Sequence, residues 1–373
     1  MRASSPRPFF RGERGNPALR ALDRYFGIPV VAVGGALRRK RRRPRELRRI
    51  GVLNATSIGD TVLLSAVVRD IAAAHPRGET ILFAGEAMAP VLRLVDGISA
   101  VPIRISSPRS ALRTIRAQRL DAVLDFDPWP RIEPVYSLLS GASFAAGFRS
   151  PGQHRHYAYD ASVEWLDSLH ALENHRRLAD VVGVASTSMP ELRSPGVVDD
   201  LPPDPYAVFH LWPTGVHSDL KEWPPDSWRA LARALAERGY SIALSGAPGD
   251  AERTREFVAS APDLAGRLLD LAGKYDLLEL LDVLRGSRCV VSVNTGVMHL
   301  AAAVGAPTVA LNGPTSERRW GPIGERVTSV NSSFPECGYL NFGWEYRGRR
   351  TDCMLGISVD AVLDAVDQVI ERD

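Results

Sequence analysis

The stretch Asn294-Thr295-Gly296-Val297-Met298-His299 is the most informative part of this chain. It follows an apolar run at residues 289–293, typical of a buried parallel strand, and leads into residues 300–304, typical of a tightly packed helix. The glycine lets the backbone approach a ligand, and the unpaired N–H groups of the first helical turn carry partial positive charge. His299 adds a donor. The pattern predicts a phosphate site, and a nucleotide diphosphate is the expected guest.

A second strand–glycine–helix corner lies far upstream, at Ser57-Ile58-Gly59-Asp60-Thr61, after the apolar residues 50–53. It presents a carboxylate where the first corner presents donors. The residues alone leave two interpretations of Asp60 open: a carboxylate that caps the helix, or a general base at the edge of a sheet. A lone Thr-Gly corner can also be a plain helix start, so it is the pair of corners that favours a ligand site.

Both corners, together with Lys221-Glu222-Trp223-Pro224 and the segment NGPTSERRWGP at residues 312–322, resemble motifs of the lipopolysaccharide heptosyltransferase family. The resemblance runs from residue 49 to the C-terminus and is weaker between residues 102 and 205. Members of this family are inverting glycosyltransferases of the GT-B type. The resemblance implies an α/β fold with two Rossmann-like, doubly wound parallel-sheet domains that face a central cleft.

The apolar pattern along the chain predicts the same division. We predict a basic and apolar N-terminal arm at residues 1–48, a Rossmann-like acceptor domain at 49–189, a Pro-rich linker at 190–205, a Rossmann-like nucleotide-sugar domain at 206–357 and a C-terminal helix at 358–373. Strands are predicted at residues 50–54, 80–84, 100–103, 122–126, 206–210, 241–245, 290–293 and 308–311. In the family, the C-terminal helix crosses back to the first domain.

The net charge of +3 hides a concentration of arginine in the first fifty residues. Arg38-Arg39-Lys40-Arg41-Arg42-Arg43 follows a short apolar stretch at residues 25–37, which is well below the ~20 residues needed to span a bilayer. Three interpretations are open: contact with an anionic membrane surface, a nucleic-acid patch and a solvated arm. No nucleic-acid motif accompanies the cluster, so we predict no nucleic-acid partner and favour the inner-membrane surface over it.

The three cysteines, Cys289, Cys337 and Cys353, form no disulfide framework, and their number suits a reducing compartment. We predict free thiols, although Cys337 and Cys353 could pair. No cysteine or histidine spacing indicates a metal site, so we predict no metal and no cofactor. Together with the basic arm, this predicts a cytoplasmic protein that is peripheral on the inner face of the cytoplasmic membrane.

The resemblance also implies roles for single residues. Asp60 matches the family's catalytic aspartate, which accepts the proton of the acceptor hydroxyl. The positions that match the family's contacts to the donor nucleotide are Thr214, Lys221, Asp250, Tyr275, Asn294, Thr295, Gly296 and His299. Taken without the family, Lys221 is a surface charge, Asp250 a first-turn carboxylate and Tyr275 a packing residue. The ribose-binding position is usually glutamate, so Glu252 is an alternative to Asp250.

The acceptor-side candidates are polar, aromatic or glycine residues of the first half: Asn54, Gly59, Trp129, Arg131, Arg149 and His154. Arg155 and His156 belong to the same donor-rich loop, for which a polyanionic acceptor is favoured over a metal because no third ligand is placed nearby. Asn54 stands where the best-known members carry a basic residue, which argues against assuming the usual inner-core sugar acid as acceptor. Asn294 stands where aspartate is common in the family.

These residues favour an inverting glycosyltransferase that moves a sugar, by resemblance a heptose from ADP-heptose, onto a lipopolysaccharide-type or other cell-envelope glycan. The expected partners are an ADP-sugar donor and a lipid-linked glycan acceptor. A sugar-nucleotide epimerase and a non-catalytic nucleotide-sugar-binding protein of the same double-Rossmann plan stay open as alternatives. A pure binder would need no base, and the chain offers no convincing acid–base pair for an epimerase.

Overall fold

The computed structural model describes residues 21 and 23–371, except Thr56, Val216, Gly343, Trp344 and Arg347. Its first half contains a six-stranded parallel sheet in the order β3-β2-β1-β4-β5-β6, formed by β1 (Arg49–Leu53), β2 (Glu79–Ala84), β3 (Ile98–Pro102), β4 (Ala122–Asp125), β5 (Phe144–Arg149) and β6 (Ala161–Glu164). The accompanying helices are α1 (Ile28–Leu37), α2 (Ile58–Ala74), α3 (Ala89–Leu92), α4 (Pro108–Ala117), α5 (Ile132–Leu139) and α6 (Ala171–Ala179).

The second half repeats this plan. Its parallel sheet has the order β12-β11-β10-β7-β8-β9 and consists of β7 (Tyr206–His210), β8 (Ser241–Ser245), β9 (Leu268–Asp270), β10 (Cys289–Val293), β11 (Thr308–Asn312) and β12 (Val327–Asn331). Its helices are α7 (Pro225–Glu237), α8 (Ala251–Ala259), α9 (Leu277–Gly286), α10 (Gly296–Ala303), α11 (Glu317–Trp320) and α12 (Val359–Ile370).

Two doubly wound sheets were expected and are confirmed. In each sheet the chain reverses its winding direction between two central strands, β1 and β4 in the first and β10 and β7 in the second. Ligands of such sheets gather at the carboxyl ends of those strands. Residues 183–205, between the sheets, contain no helix or strand. Helices α2 and α10 pack against each other, and their apolar residues belong to one buried cluster that joins the two halves.

The C-terminal helix differs from the expectation. Val362, Val366 and Val369 of α12 are buried in a cluster built on the second sheet, and α12 packs against β12, β11 and α7. Its apolar face therefore packs within the second half, whereas by resemblance to the family the helix was expected to cross back to the first half. The apolar spacing predicted the helix but could not specify which sheet it covers.

The free-thiol prediction is wrong for two of the three cysteines. Cys337 and Cys353 form a disulfide, with sulfurs 2.09 Å apart, whereas Cys289 is free and buried in β10. Burial raises the pKa of the Cys289 thiol to about 12, which makes it unreactive at neutral pH. The pairing depends on how the loop between residues 337 and 353 folds back, and the cysteine spacing carries no information on that.

The described part of the predicted arm, residues 21 and 23–48, packs on the first half. The Asp23 carboxylate pairs with Arg131 at the start of α5, and Arg38 Nη2 lies 2.6 Å from Asp160 Oδ2. Leu47 is buried in the core. Residues 1–20 lie outside the described residues. Within the described chain, no helix has the length and apolar character needed to cross a membrane.

Candidate functional site

The two glycine corners lie against each other across the cleft. A Cβ on Gly59 would be 2.7 Å from Cδ2 of His299, and a Cβ on Gly296 would be 2.8 Å from Cβ of Ile58. Side-chain carbons do not approach so closely, so glycine at both positions permits the first turns of α2 and α10 to meet. The meeting brings Asp60 and the N–H groups at the start of α10 to one place.

Asp60 lies in the first turn of α2 and is 5% exposed. The N-cap of this helix is Ser57, whose Oγ accepts a hydrogen bond from the Asp60 N–H at 3.4 Å. The interpretation of Asp60 as the N-cap is therefore wrong, because a serine three residues earlier holds that position. The Asp60 carboxylate therefore lies in the first turn of α2, beyond the N-cap position.

Asn54 and Glu133 hold the segment that leads into this corner. Thr61 Oγ1 donates to Asn54 Oδ1 at 3.0 Å, and the Ala55 N–H donates to Glu133 Oε1 at 3.1 Å. Asn54 is 1% exposed, so it supports the corner from beneath and does not reach into the open cleft. Burial, with Asp127 and Asp125 nearby, raises the pKa of Glu133 well above its ordinary value. Glu133 lies within the helical pattern of α5, and nothing local in the sequence marks it.

The hydrogen bonds of Asn294 explain why this chain has an amide where aspartate is common in the family. Its Nδ2 donates to Asn312 Oδ1 at 2.9 Å and to the Trp320 carbonyl at 3.0 Å. An aspartate could donate neither bond and would meet two acceptor oxygens instead. The amide thus ties β10 to β11 and to α11. Thr295 is the N-cap residue of α10, and its Oγ1 lies 3.3 Å from Ser292 Oγ.

His299 is a neutral ring in this setting. Burial, and to a lesser degree His170, lowers the His299 pKa to about 3. Its Nδ1 has no hydrogen-bond partner among the described residues. A neutral imidazole can give one hydrogen bond to a phosphate oxygen but no net charge. Positive potential for an anion must therefore come from the start of α10 and from a basic side chain.

Lys221 is the candidate for that basic side chain. It lies in the loop after β7, half-buried, and its Nζ donates to the Thr214 carbonyl at 3.4 Å. The neighbouring Glu222 is engaged 2.6 Å away by Arg253, so it leaves the ammonium unneutralised. Burial lowers the Lys221 pKa to about 8. The Thr214 side chain is exposed in the same loop.

Asp250 and Tyr275 lie on two loops that pack together. The Gly273 N–H donates to the Gly246 carbonyl at 2.8 Å, which joins the loop after β8 to the loop after β9. Asp250 Oδ2 accepts from the Ala247 N–H at 2.9 Å, and burial raises its pKa. Tyr275, on the second loop, is partly buried, and its hydroxyl donates to the Asp200 carbonyl at 3.4 Å. Glu252, the alternative to Asp250, is exposed in the first turn of α8.

Two acceptor-side candidates are buried and bind other residues of the protein. Arg131 is 4% exposed; Nε and Nη2 donate to the carbonyl and side chain of Gln153, at 2.8 and 2.5 Å, and Nη1 pairs with Asp23. Arg155 is fully buried, with Nη2 2.7 Å from Asp125 Oδ2. Neither guanidinium presents a donor to the cleft, so both residues are structural. Their positions in a donor-rich loop gave no sign of this burial.

Arg149, His154 and Trp129 stay accessible. Arg149 and His154 are exposed at and beyond the carboxyl end of β5, and the His154 ring stacks 6.0 Å from Tyr157. The Trp129 ring is 5.3 Å from Phe342 of the second half. Of the three, Trp129 contacts the second half, and Arg149 and His154 lie at and beyond the carboxyl end of a strand of the first sheet. Gly59, the other acceptor-side candidate, is used for the contact with His299.

The sequence did not reveal the contacts that hold the cleft closed. His170 caps α6, since its Nδ1 accepts a hydrogen bond from the Leu172 N–H. The ring proton is therefore on Nε2, which donates across the cleft to the Gly321 carbonyl at 3.1 Å. Trp165 stacks on Trp320 at 6.2 Å. These pairs are about 150 residues apart in the chain, and no local pattern links them.

Comparisons with known proteins agree with this geometry. The family model described as glycosyltransferase family 9 (heptosyltransferase) matches residues 139–339, which is more than half of the chain and includes every donor-side residue. Lipopolysaccharide heptosyltransferase 1 of Pseudomonas aeruginosa is 33% identical over 194 residues, 50% of this chain and 51% of that protein. The Escherichia coli K12 heptosyltransferase 1 is 27% identical over 302 residues, 74% of this chain and 91% of that protein.

Solved structures show the same fold. The E. coli ADP-heptose lipopolysaccharide heptosyltransferase II superposes with a TM-score of 0.69 at 20% identity, covering 87% of this chain and 99% of that one. E. coli heptosyltransferase WaaC with ADP gives 0.68 at 22% identity, covering 86% and 99%. This chain spans about half the length of the first curated relatives that it matches. On the family match over more than half of its length, the chain belongs to glycosyltransferase family 9, the heptosyltransferase family.

Proposed function

We propose that the protein is an inverting glycosyltransferase that moves a heptose from ADP-heptose onto a lipid-linked cell-envelope glycan. The contact of Gly59 with His299 and of Gly296 with Ile58 carries the proposal. This contact places a carboxylate, Asp60, opposite a helix start that attracts anions. A base for the acceptor and positive potential for the leaving diphosphate are what the reaction needs on its two sides.

In this mechanism Asp60 takes the proton of the acceptor hydroxyl as its oxygen attacks the anomeric carbon. The bond from that carbon to the diphosphate oxygen breaks on the opposite face, which inverts the configuration, and ADP leaves with the electron pair. Lys221 and the N–H groups at the start of α10 stabilise the departing charge. Lys221 and these N–H groups supply the positive charge without a metal ion.

The remaining donor contacts follow from the two packed loops. In the proposal, Asp250 holds the ribose hydroxyls and Tyr275 contacts the adenine; the hydrogen bond between Gly273 and Gly246, which joins their two loops, supports this. Arg149, His154 and Trp129 form the acceptor side. Because the acceptor is lipid-linked, the proposal places the enzyme at the inner face of the cytoplasmic membrane.

Nucleotide selectivity tests the proposal. ADP should raise the unfolding temperature of the purified protein more than UDP or GDP at equal concentration, because at a given concentration the tighter-binding ligand stabilises the fold more. Asp250→Asn should reduce the ADP shift, whereas Glu252→Gln, two residues along and exposed, should leave it unchanged. A larger shift with UDP would overturn the choice of donor, and the reverse pattern of the two variants would move the ribose contact to Glu252.

A further inference from the structure

Helix α1 exposes an apolar stripe that nothing in the described residues covers. Val30, Val33 and Leu37 of α1 follow one another at intervals of three and four residues, so they lie on one helical face, and Phe26 precedes them in a π-helical turn at Asp23–Gly27. Phe26 is 66% exposed and Leu37 83%. With Tyr25 and Leu139 they form what we call the apolar ridge. A contiguous exposed apolar surface of this kind marks a site that contacts something other than water.

The opposite face of α1 is already committed. Val31 is buried, and a Cβ on Gly34 or Gly35 would be 2.8 Å from Leu138 Cδ1 or 2.3 Å from the Tyr157 carbonyl oxygen. The helix is therefore pressed onto α5 and the loop after β5 by residues that fit only there. The ion pairs of Asp23 and Arg38 fix its two ends. Because of these contacts α1 cannot turn its outer face inward, and the ridge stays outside.

Beside the ridge is a groove of about 300 Å³ between α1 and α5. Val30, Leu37 and Leu138 line it, and the exposed Arg41 lies at its edge beside Arg38, whose guanidinium is already paired with Asp160. A depression with an apolar lining and a guanidinium rim matches one acyl chain beneath a phosphate headgroup. The groove shares Val30, Leu37 and Leu139 with the ridge, so the groove and the ridge form one surface.

The charges around the ridge point to the same partner. Arg39, Lys40, Arg42 and Arg45 follow α1 and are exposed, and among the described residues none of them has a carboxylate within ion-pairing distance. Helix α4, which also packs against α5, exposes Arg109, Arg113 and Arg116. Cations flanking an apolar helix that is too short to span a bilayer are the pattern of a helix lying in an anionic lipid surface. A nucleic acid would use the cations but leave the apolar ridge in water.

We propose that the apolar ridge and its groove dock the protein on an anionic lipid bilayer, with α1 lying in the interface. Arg131, which binds Asp23 at one end of α1, begins α5 only a few residues after β4 ends, so the Phe26 end of the ridge lies at the cleft edge of the first sheet. A docked enzyme holds its cleft at the lipid surface. The benefit of holding the cleft at the lipid surface rests on the proposed function, because it requires a lipid-linked acceptor. The docking itself does not rest on the proposed function.

Co-sedimentation of the full chain with vesicles tests the apolar part. Vesicles of phosphatidylcholine with phosphatidylglycerol should bind the protein, and Leu37→Glu should lower the partition coefficient about tenfold or more, since a leucine is withdrawn from lipid. Leu355→Glu is the matched control, because Leu355 is similarly exposed, at 61%, on the second half. Equal binding of the Leu37→Glu protein and the wild type would overturn the proposal.

The charge part has its own control. The triple variant Arg39→Gln, Lys40→Gln and Arg42→Gln should weaken binding on the order of 100-fold at low salt, at about fivefold per cation. The variant Arg238→Gln, Arg255→Gln and Arg267→Gln removes the same charge from the second half and should bind like wild type. Binding that ignores phosphatidylglycerol content, or an equal loss in both variants, would contradict a docking role for this surface.

Other occupants of the ridge have distinct signatures. If the ridge joined two copies of the chain, Leu37→Glu would convert a dimer to a monomer and leave vesicle binding intact. If residues 1–20 were the anchor, their removal would abolish binding while Leu37→Glu would not. Turnover on a detergent-dispersed acceptor separates the two proposals: a wild-type protein without turnover there refutes the proposed function, whereas the docking is judged on vesicle binding alone.

Discussion

Replacement of Asp60 by asparagine should lower turnover by roughly 10²–10⁴-fold, the usual contribution of a positioned general base. Asparagine keeps the shape of the side chain, and the α2 cap is unaffected because Ser57 provides it. ADP affinity should stay at the wild-type value, since the proposed donor contacts come from the second half of the chain. Turnover and ADP binding of the two proteins should be measured side by side.

Ser57→Ala is the matched control for this experiment. It removes the N-cap oxygen and should cost about 1 kcal/mol of unfolding free energy, but it leaves the carboxylate of Asp60 in place. Its turnover should therefore stay close to wild type. Near-normal turnover of Asp60→Asn, or an equal loss in both variants, would remove Asp60 from the chemistry and leave the corner with a structural role.

Replacement of Lys221 by glutamine should weaken ADP binding roughly 10- to 100-fold, the magnitude expected for a hydrogen bond to a charged group. Lys274→Gln removes an equal charge from an exposed position and should have little effect. The same lysine also predicts a pH dependence. Burial lowers its pKa to about 8 in the free protein, and a bound diphosphate favours the protonated form and raises that pKa.

The direction of the pH dependence follows from the protonated Lys221 that ADP binding requires. ADP affinity should be full below about pH 8, where Lys221 is charged, and should fall as the pH rises above that value. The last phosphate protonation, near pH 6, lies outside this window. Isothermal titration from pH 7 to 10 should show the decline in the wild type and its disappearance in Lys221→Gln. A decline that persists in the variant would assign the effect to another group.

The strands that carry the two corners could be predicted from the sequence because they are buried on both faces. The bounds of β7 and β8 match the prediction, and those of β10 and β11 differ by one residue at one end. The edge strands β6 and β12 were missed, since half-exposed edges lack a continuous apolar run. The buried strand β5 was missed as well, because its small residues Ala145, Ala146 and Gly147 give a weak apolar signal. Strand β9 is only three residues long, too short for any period to show.

Site residues divide in the same way. The corners were predictable because glycine and a helix start leave a local pattern. Burial of Arg131 and Arg155 was not, because the partners Asp23, Gln153 and Asp125 are 22 to 108 residues away in sequence. The sequence pattern does not distinguish an arginine that faces a ligand from one that pairs with a buried carboxylate. The disulfide between Cys337 and Cys353 depends on the loop fold in a similar manner.

The most direct test is transfer itself, in excess EDTA, with ADP-heptose, UDP-sugar and GDP-sugar offered in turn to a detergent-dispersed, heptose-free lipid-linked core glycan. Released nucleotide would be quantified and the new linkage examined by NMR. We expect acceptor-dependent release of ADP, an anomeric configuration opposite to that of the donor, and full activity without a divalent metal. Retention of configuration, preference for another nucleotide, or complete loss of transfer in EDTA with rescue by Mg²⁺ or Mn²⁺ would contradict it.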